Sequence, residues 1–191
     1  MEVCQAIEQR RSIRRYTSAM PASSIVRQVL EAARMAPSWA NTQCWEFIVV
    51  SDAGLKQQLA GTLPEKNPAR TAMLQAPLVI AACARTGVSG YFKGNPATDK
   101  GDWLLFDTAL ALQNLTLRAH DLGLGTVHVG FFDSVNAAGI LQVPAGITVV
   151  ELMPLGYPAD AGTPTARKPL EEFVFYDRYG ATGSALDSDR T

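Results

Sequence analysis

The spacing of apolar positions changes several times along the chain, and each change marks an element. Residues 2–9, EVCQAIEQ, predict a short helix that runs into a basic stretch, RRSIRRY. A second helix is predicted from Pro21, a residue suited to the first helical position because its missing N–H would have no partner there. Its stripe of Ile25, Val29, Leu30, Ala33 and Ala36 has helical spacing, and Pro37 ends it. The small polar segment PSWANTQCW reads as a loop. WEFIVV (Trp45–Val50) then reads as a buried strand, followed by a helix over Ala53–Ala60 that Asp52 is placed to cap. Gly61–Arg70, with Pro64 and Pro68, reads as a loop leading by a short turn into PLVIAACA (Pro77–Ala84), a second buried strand.

Residues 85–101 are rich in Gly, Asn, Thr and Pro, and a connection of this length inside a compact domain is more often functional than accidental. Asp102 to His120 carries the longest helical pattern, apolar nearly all round, which places it in the interior or at a subunit interface. Gly123 and Gly125 close it, TVHVG reads as a third strand and residues 134–142 as a short helix. Ile147–Leu155 reads as a fourth strand broken by Pro154, and EEFVFY has strand character after the loop Gly156–Pro169. Strands and helices alternate irregularly without repeat or linker, which points to an α+β layered fold in one domain over residues 1–180. The remaining residues, 181–191, have nothing to bury and are expected to be frayed or disordered.

Composition narrows the function classes. A net charge of −1, from 17 basic and 18 acidic residues, argues against a generic nucleic-acid binder. Three cysteines, Cys4, Cys44 and Cys83, with no C-x-x-C spacing, exclude a disulfide framework or zinc ribbon and suit a reducing cytoplasm. The longest uncharged stretch, Ser134–Val150, is too short and too polar to span a bilayer, and the N-terminus has no signal-peptide centre, so a cytoplasmic location is expected. His120 and His128 are the only histidines, with no H-E-x-x-H, and no metal site is expected.

Four constellations remain. Arg10, Arg11, Arg14 and Arg15 stand beside Ser12 and repel one another unless an anion sits among them; a phosphate would accept charge-assisted bonds there, whereas a solvated helix end is the plainer reading. Asn41 and Gln43, two apart on the loop, can present amides to one planar hydrogen-bonding edge such as that of a flavin or a base, or can satisfy loop backbone. LGLGTVHVG resembles a dinucleotide fingerprint only superficially: its glycines are misplaced, and it follows a helix and precedes a strand. Gly130 at the strand end would still let a ligand approach the backbone. Arg167 and Lys168 form a second potential anion contact.

Taken in order, RRSIRRY, PSWANTQCWEFIVV, LGLGTVHVG and PLGYPADAGTPTARKPLEEFV resemble the FMN-dependent nitroreductase family over nearly the whole chain. The resemblance implies a mixed β-sheet flanked by helices and an intertwined homodimer with FMN at the subunit interface. Arg10, Arg11 and Ser12 would hold the FMN phosphate with Arg167 and Lys168, and Arg14 would sit near the flavin N1/C2 carbonyl as electrostatic support. Pro37, Ser38 and Trp39 would reach the cofactor from the other subunit, with Asn41 and Gln43 in the same motif. Val129 and Gly130 would present backbone to the N5/O4 side, and EEFVFY would lie against the partner. Two departures stand out: Cys44 replaces the usual proline before Trp45, and Ala69-Arg70-Thr71-Ala72 lacks the Asn and Lys of some relatives, leaving Arg70 or Asn67 as substitutes.

The implied activity moves a hydride from NADH or NADPH through flavin N5 to a nitroaromatic, quinone or similar conjugated acceptor, in a ping-pong cycle that needs no acid or base from the protein. Tyr91, Phe92 and Lys93 in the long connection are the candidates for acceptor contact. The alternatives are a specialised relative acting on an unsaturated or halogenated metabolite, and an FMN-binding module without turnover. An RNA contact through RRSIRR has no aromatic platform to support it.

Overall fold

In the computed structural model, which describes residues 1–182, the helices are α1 (Val3–Gln9), α2 (Ser23–Arg34), α3 (Ala53–Gly61), α4 (Ala69–Gln75), α5 (Leu104–Asp121) and α6 (Ser134–Ile140). The strands are β1 (Trp45–Val50), β2 (Leu78–Arg85), β3 (Tyr91–Phe92), β4 (Asn95–Pro96), β5 (Gly125–Thr126) and β6 (Ile147–Gly156). The main sheet runs β1-β2-β6-β5 with every neighbouring pair antiparallel, while Ser12 and Thr126 add a parallel bridge. The α+β class with a helix-flanked sheet is as expected.

Successive side chains of β2 point to opposite faces, and both faces are covered, which is why its sequence is continuously apolar. Val79, Ala81 and Cys83 join Leu59 of α3, Met73 of α4 and Ala137 of α6 in one core. Leu78, Ile80 and Ala82 join Val29 and Ala33 of α2 and Leu112 and Leu115 of α5 in the other. The long apolar helix is therefore interior along one side. Asp52 caps α3 as expected, its carboxylate accepting from the Leu55 N–H at 2.7 Å.

Several expectations are corrected. β1 is an edge strand buried only at Trp45 and Val50, because it has one neighbour in the sheet and helices cover it incompletely. α2 begins at Ser23 with Ala22 as its cap residue, so the buried Pro21 lies ahead of the helix rather than in its first turn. The turn expected before β2 is α4, whose seven residues are too few to show a stripe; the Asn67 side chain accepts the Ala69 N–H at 2.9 Å at its start. EEFVFY forms no strand among the described residues: Leu170–Glu172 is a single 3-10 turn, since a lone strand has nothing to pair with.

Pro154 acts differently from the expected break. β6 runs unbroken through it, paired to Val79, and the register shift lies instead opposite Ala82/Cys83. What Pro154 interrupts is the ladder to the third strand. Thr126 pairs with Leu155, and Val129 exchanges both backbone bonds with Leu152 at 3.1 Å. The intervening register aims the N–H of residue 154 at Val127, and proline has none. TVHVG is accordingly a two-residue strand, then a single bridge. Of the tail expected to be frayed, residues 183–191 lie outside the described residues.

Candidate functional site

The basic stretch after α1 is pinned as an extended segment. Ile13 N–H bonds Thr126 O at 2.9 Å, Thr17 N–H bonds Tyr157 O at 2.9 Å, and Ala159 N–H bonds Arg15 O at 2.9 Å. Ile13 and Tyr16 are buried, which leaves Ser12, Arg14 and Arg15 facing outward. The Tyr16 hydroxyl donates to Ile13 O at 2.7 Å and reaches Pro154 O at 3.3 Å, and burial pushes its pKa above the ordinary phenol value. Gly125 permits the close approach: a Cβ there would stand 2.6 Å from Ile13 Cγ1.

Pinned this way, Arg10, Arg11, Ser12, Arg14 and Arg15 rim a cavity of about 310 Å³. The loop after β6 closes its other side with Asp160, Gly162, Thr163, Thr165 and Arg167. Its charge is unbalanced. Asp160 is the one carboxylate in the lining and lies 3.7 Å from Arg15. Arg11 spends its Nη1 on Glu8 O at 2.6 Å and Arg10 O at 2.7 Å, and Arg167 spends its own on Thr165 O at 3.1 Å and Oγ1 at 2.6 Å. Those bonds orient guanidinium groups without neutralising them. Arg10 and Arg14 donate no side-chain hydrogen bond and form no ion pair among the described residues. Such a cavity suits a doubly charged phosphate, which takes forked guanidinium bonds and a serine hydroxyl together.

Arg14 also lines a second cavity, of about 130 Å³, with Asn67, Val129, Gly130 and Phe131. The Asn67 amide donates to Phe131 O at 3.2 Å, tying the start of α4 to the Gly130 ledge. Of the substitutes weighed for residues 69–72, Asn67 is at this cavity, while Arg70 lines neither. Lys168 is turned away: it lies 3.7 Å from Glu172 and does not line the arginine cavity.

The segment Pro37–Gln43 forms a separate loop, exposed at Pro37, Ala40, Asn41 and Gln43 and half-buried at Ser38, Trp39 and Thr42, and none of Pro37, Ser38, Trp39, Asn41 or Gln43 lines either cavity. Tyr91 and Phe92 form one arm of the β3–β4 hairpin, with Phe92 66% exposed and the Lys93 ammonium 5.4 Å from its ring centre. His120 sits in the last turn of α5; burial, with Arg11 and Arg10 nearby, lowers its pKa. His128 bridges Thr116 at 3.2 Å and Glu151 at 2.6 Å. Asp160, Gly162, Thr163 and Thr165 are site residues that sequence reasoning missed; their Gly/Pro/Thr composition signalled only a loop.

The model of the Nitroreductase family matches residues 7–157, well over half of the chain. The chain belongs to the nitroreductase family. The family match covers the Arg10–Arg15 rim, the Pro37–Gln43 loop and the Val129–Gly130 ledge, and stops short of Arg167. An NADH dehydrogenase of Thermus thermophilus is 30% identical over 192 residues, covering 87% of this chain and 92% of that protein. An FMN reductase [NAD(P)H] of Bacillus subtilis is 29% identical, covering 93% of this chain and 74% of that protein. The crystal structure of a nitroreductase family protein from Clostridium novyi superimposes with a TM-score of 0.76 at 30% identity, covering 99% of this chain and all of that one. Among the described residues, no helix of this chain is long and apolar enough to cross a membrane.

Proposed function

We propose that this member of the nitroreductase family is an FMN-dependent oxidoreductase. It takes electrons from NADH or NADPH and delivers them to a nitroaromatic, quinone or similar conjugated acceptor in a ping-pong cycle. The observation that carries this reading is the unbalanced arginine cavity joined, through Arg14, to the Val129–Gly130 ledge. The name of the Bacillus subtilis relative supports the same cofactor and donor.

FMN, when bound, would supply the hydride chemistry. Arg10, Arg11, Ser12 and Arg167 hold its phosphate. Lys168 serves the bulk field rather than a direct contact, given its pairing with Glu172. Arg14, which lines both cavities, would hold a positive charge beside bound FMN and so favour its reduction. Val129 and Gly130, lining the cavity that Arg14 shares, would offer main chain to the bound flavin ring.

Pro37, Ser38, Trp39, Asn41 and Gln43 act from a second copy of the chain. The exposure of Pro37, Asn41 and Gln43, and the separation of all five from the arginine cavity, support that assignment. Exposed Val3, Ile7, Leu105 and Phe106 supply apolar surface for the homodimer to cover. Tyr91 and Phe92 on the β3–β4 hairpin face the acceptor in the assembled site.

The test is a visible spectrum of the purified protein, then anaerobic titration with NADH and NADPH, then addition of a quinone or nitroaromatic. A yellow protein that bleaches with donor and recovers with acceptor is expected. A protein that takes up no FMN refutes the reading. One that binds FMN and never bleaches is the flavin-holding module without turnover.

A further inference from the structure

Asp107 is fully buried, with 0% of its surface exposed, in the first turn of α5, a helix otherwise dominated by apolar and neutral residues. It forms no ion pair among the described residues. Its carboxylate instead gathers donors from two distant segments. The Trp39 N–H points at both oxygens, at 3.1 Å each. Oδ2 also accepts from the Ser89 hydroxyl at 2.6 Å and the Thr42 hydroxyl at 3.4 Å, with the Cys44 thiol at 3.8 Å. Burying a carboxylate without a cation costs several kcal/mol, and an apolar side chain of similar volume would avoid that cost. The positive end of α5 and this set of donors offset it.

The loop that Asp107 holds is strained. Ala40, Asn41 and Gln43 have φ of +46°, +57° and +46°, in the left-handed region that side-chain-bearing residues rarely enter. Such a backbone persists only where its surroundings over-determine it. Two devices do so here: the Ser38 hydroxyl accepts the Gln43 N–H at 2.9 Å, closing the loop, and Asp107 anchors it at Trp39 and Thr42. The result leaves Asn41 and Gln43 exposed. Ser89, also fully buried, stands at the root of the long 85–101 connection, where its carbonyl accepts the Trp103 N–H at 3.1 Å.

We infer that Asp107 is a positioning residue that locks the Pro37–Gln43 loop in its flavin-contacting shape and ties it to Ser89 at the root of the hairpin loop. The inference rests on the FMN reading above for what the loop touches. One carboxylate then joins the cofactor loop to the acceptor loop, so a shift of the hairpin is transmitted to Trp39. An amide at position 107 keeps the shape and one acceptor oxygen but removes the charge and puts an N–H₂ group in place of the other acceptor, which weakens the lock while leaving the volume filled.

The experiment uses the full chain, with and without FMN, and three variants: Asp107→Asn, Ser89→Ala, and Leu59→Ala as a core truncation in α3. The readouts are FMN affinity, the visible-region circular dichroism of bound flavin, and amide hydrogen exchange at Trp39 and Gln43 without cofactor. Asp107→Asn is expected to weaken FMN binding about tenfold or more, to change the flavin dichroism and to speed exchange at both amides. Ser89→Ala is expected to move all three readouts in the same direction by a smaller factor, about threefold. Leu59→Ala is expected to lose stability while keeping all three at wild-type values.

Wild-type affinity, dichroism and exchange in both loop variants overturn the inference. So does a Leu59→Ala effect on FMN as large as that of Asp107→Asn. If Asp107→Asn does not fold, Ser89→Ala decides on the same readouts. A wild-type chain that takes up no FMN overturns the functional reading instead, and the lock itself then stands or falls on the exchange rates.

Discussion

Substituting Gly125 by alanine should damage the candidate site from behind, without touching any residue that faces the cavity. The added Cβ would stand 2.6, 2.7 and 2.9 Å from Ile13 Cγ1, Cβ and Cγ2, and contacts under 3 Å oblige one partner to move. Ile13 is a stiff β-branched side chain, 5% exposed, with few rotamers open to it, and all three of its nearest atoms stand within 3 Å of the added Cβ. The strain therefore passes to the Ile13 N–H to Thr126 O bond of 2.9 Å, which holds Ser12 and Arg14 on either side. Overpacking of this kind costs about 1–3 kcal/mol of stability. Displacing one charge-assisted phosphate contact should weaken FMN binding about tenfold.

Urea unfolding and an FMN titration measure the two effects on one preparation. Gly123→Ala is the control: its φ of +77° makes alanine cost about 1–2 kcal/mol, but nothing lies within 4 Å, so FMN affinity should be unchanged. Ile13→Ala alone should cost about 2–5 kcal/mol of stability. Combined with Gly125→Ala it should cost less than the sum, because the clash is gone. A Gly125→Ala protein with wild-type stability and affinity, or strict additivity in the pair, would refute the reasoning.

Arg14→Ala should slow flavin reduction about tenfold and lower the flavin potential by about 30 mV, the equivalents of roughly 1.4 kcal/mol for a two-electron couple; stopped-flow reduction and a redox titration would show it. Asp52→Ala removes the 2.7 Å cap of α3 and should cost about 1 kcal/mol in urea unfolding, with FMN affinity unchanged. His120 has its folded pKa depressed below the ordinary 6.5 by burial, then by Arg11 and Arg10. The unfolded chain therefore binds the proton more readily, and stability present above pH 6.5 should decline as the pH falls below it. Urea midpoints measured between pH 7.5 and 5 should fall less steeply in His120→Gln.

The fold was legible wherever apolar residues recur with a clear period. β2 reads directly because Leu78 to Ala84 is apolar on both faces, and α5 because its length shows the helical repeat many times over. α4 was not legible: seven residues give two turns, and its start depends on a side-chain bond from Asn67 that composition does not display. Pro154 was visible as an interruption, but which neighbour loses the bond follows only from register. At the site, the arginines and Ser12 stood out as repelling charges close together in sequence. Asp160 and the Gly162–Thr165 wall come to them only through the return of the chain after β6. Asp107 had one visible signal, a carboxylate in the first turn of a mostly apolar helix, and its partners lie 18 to 68 residues away.

The most direct measurement compares the affinities of FMN and riboflavin, which differ only in the phosphate. Arg10, Ser12 and Arg167 together supply at least two charge-assisted bonds, each worth about 1.5–3 kcal/mol, so riboflavin should bind at least about 100-fold more weakly than FMN. Equal affinities would contradict the account, because the arginine cavity would then hold no phosphate.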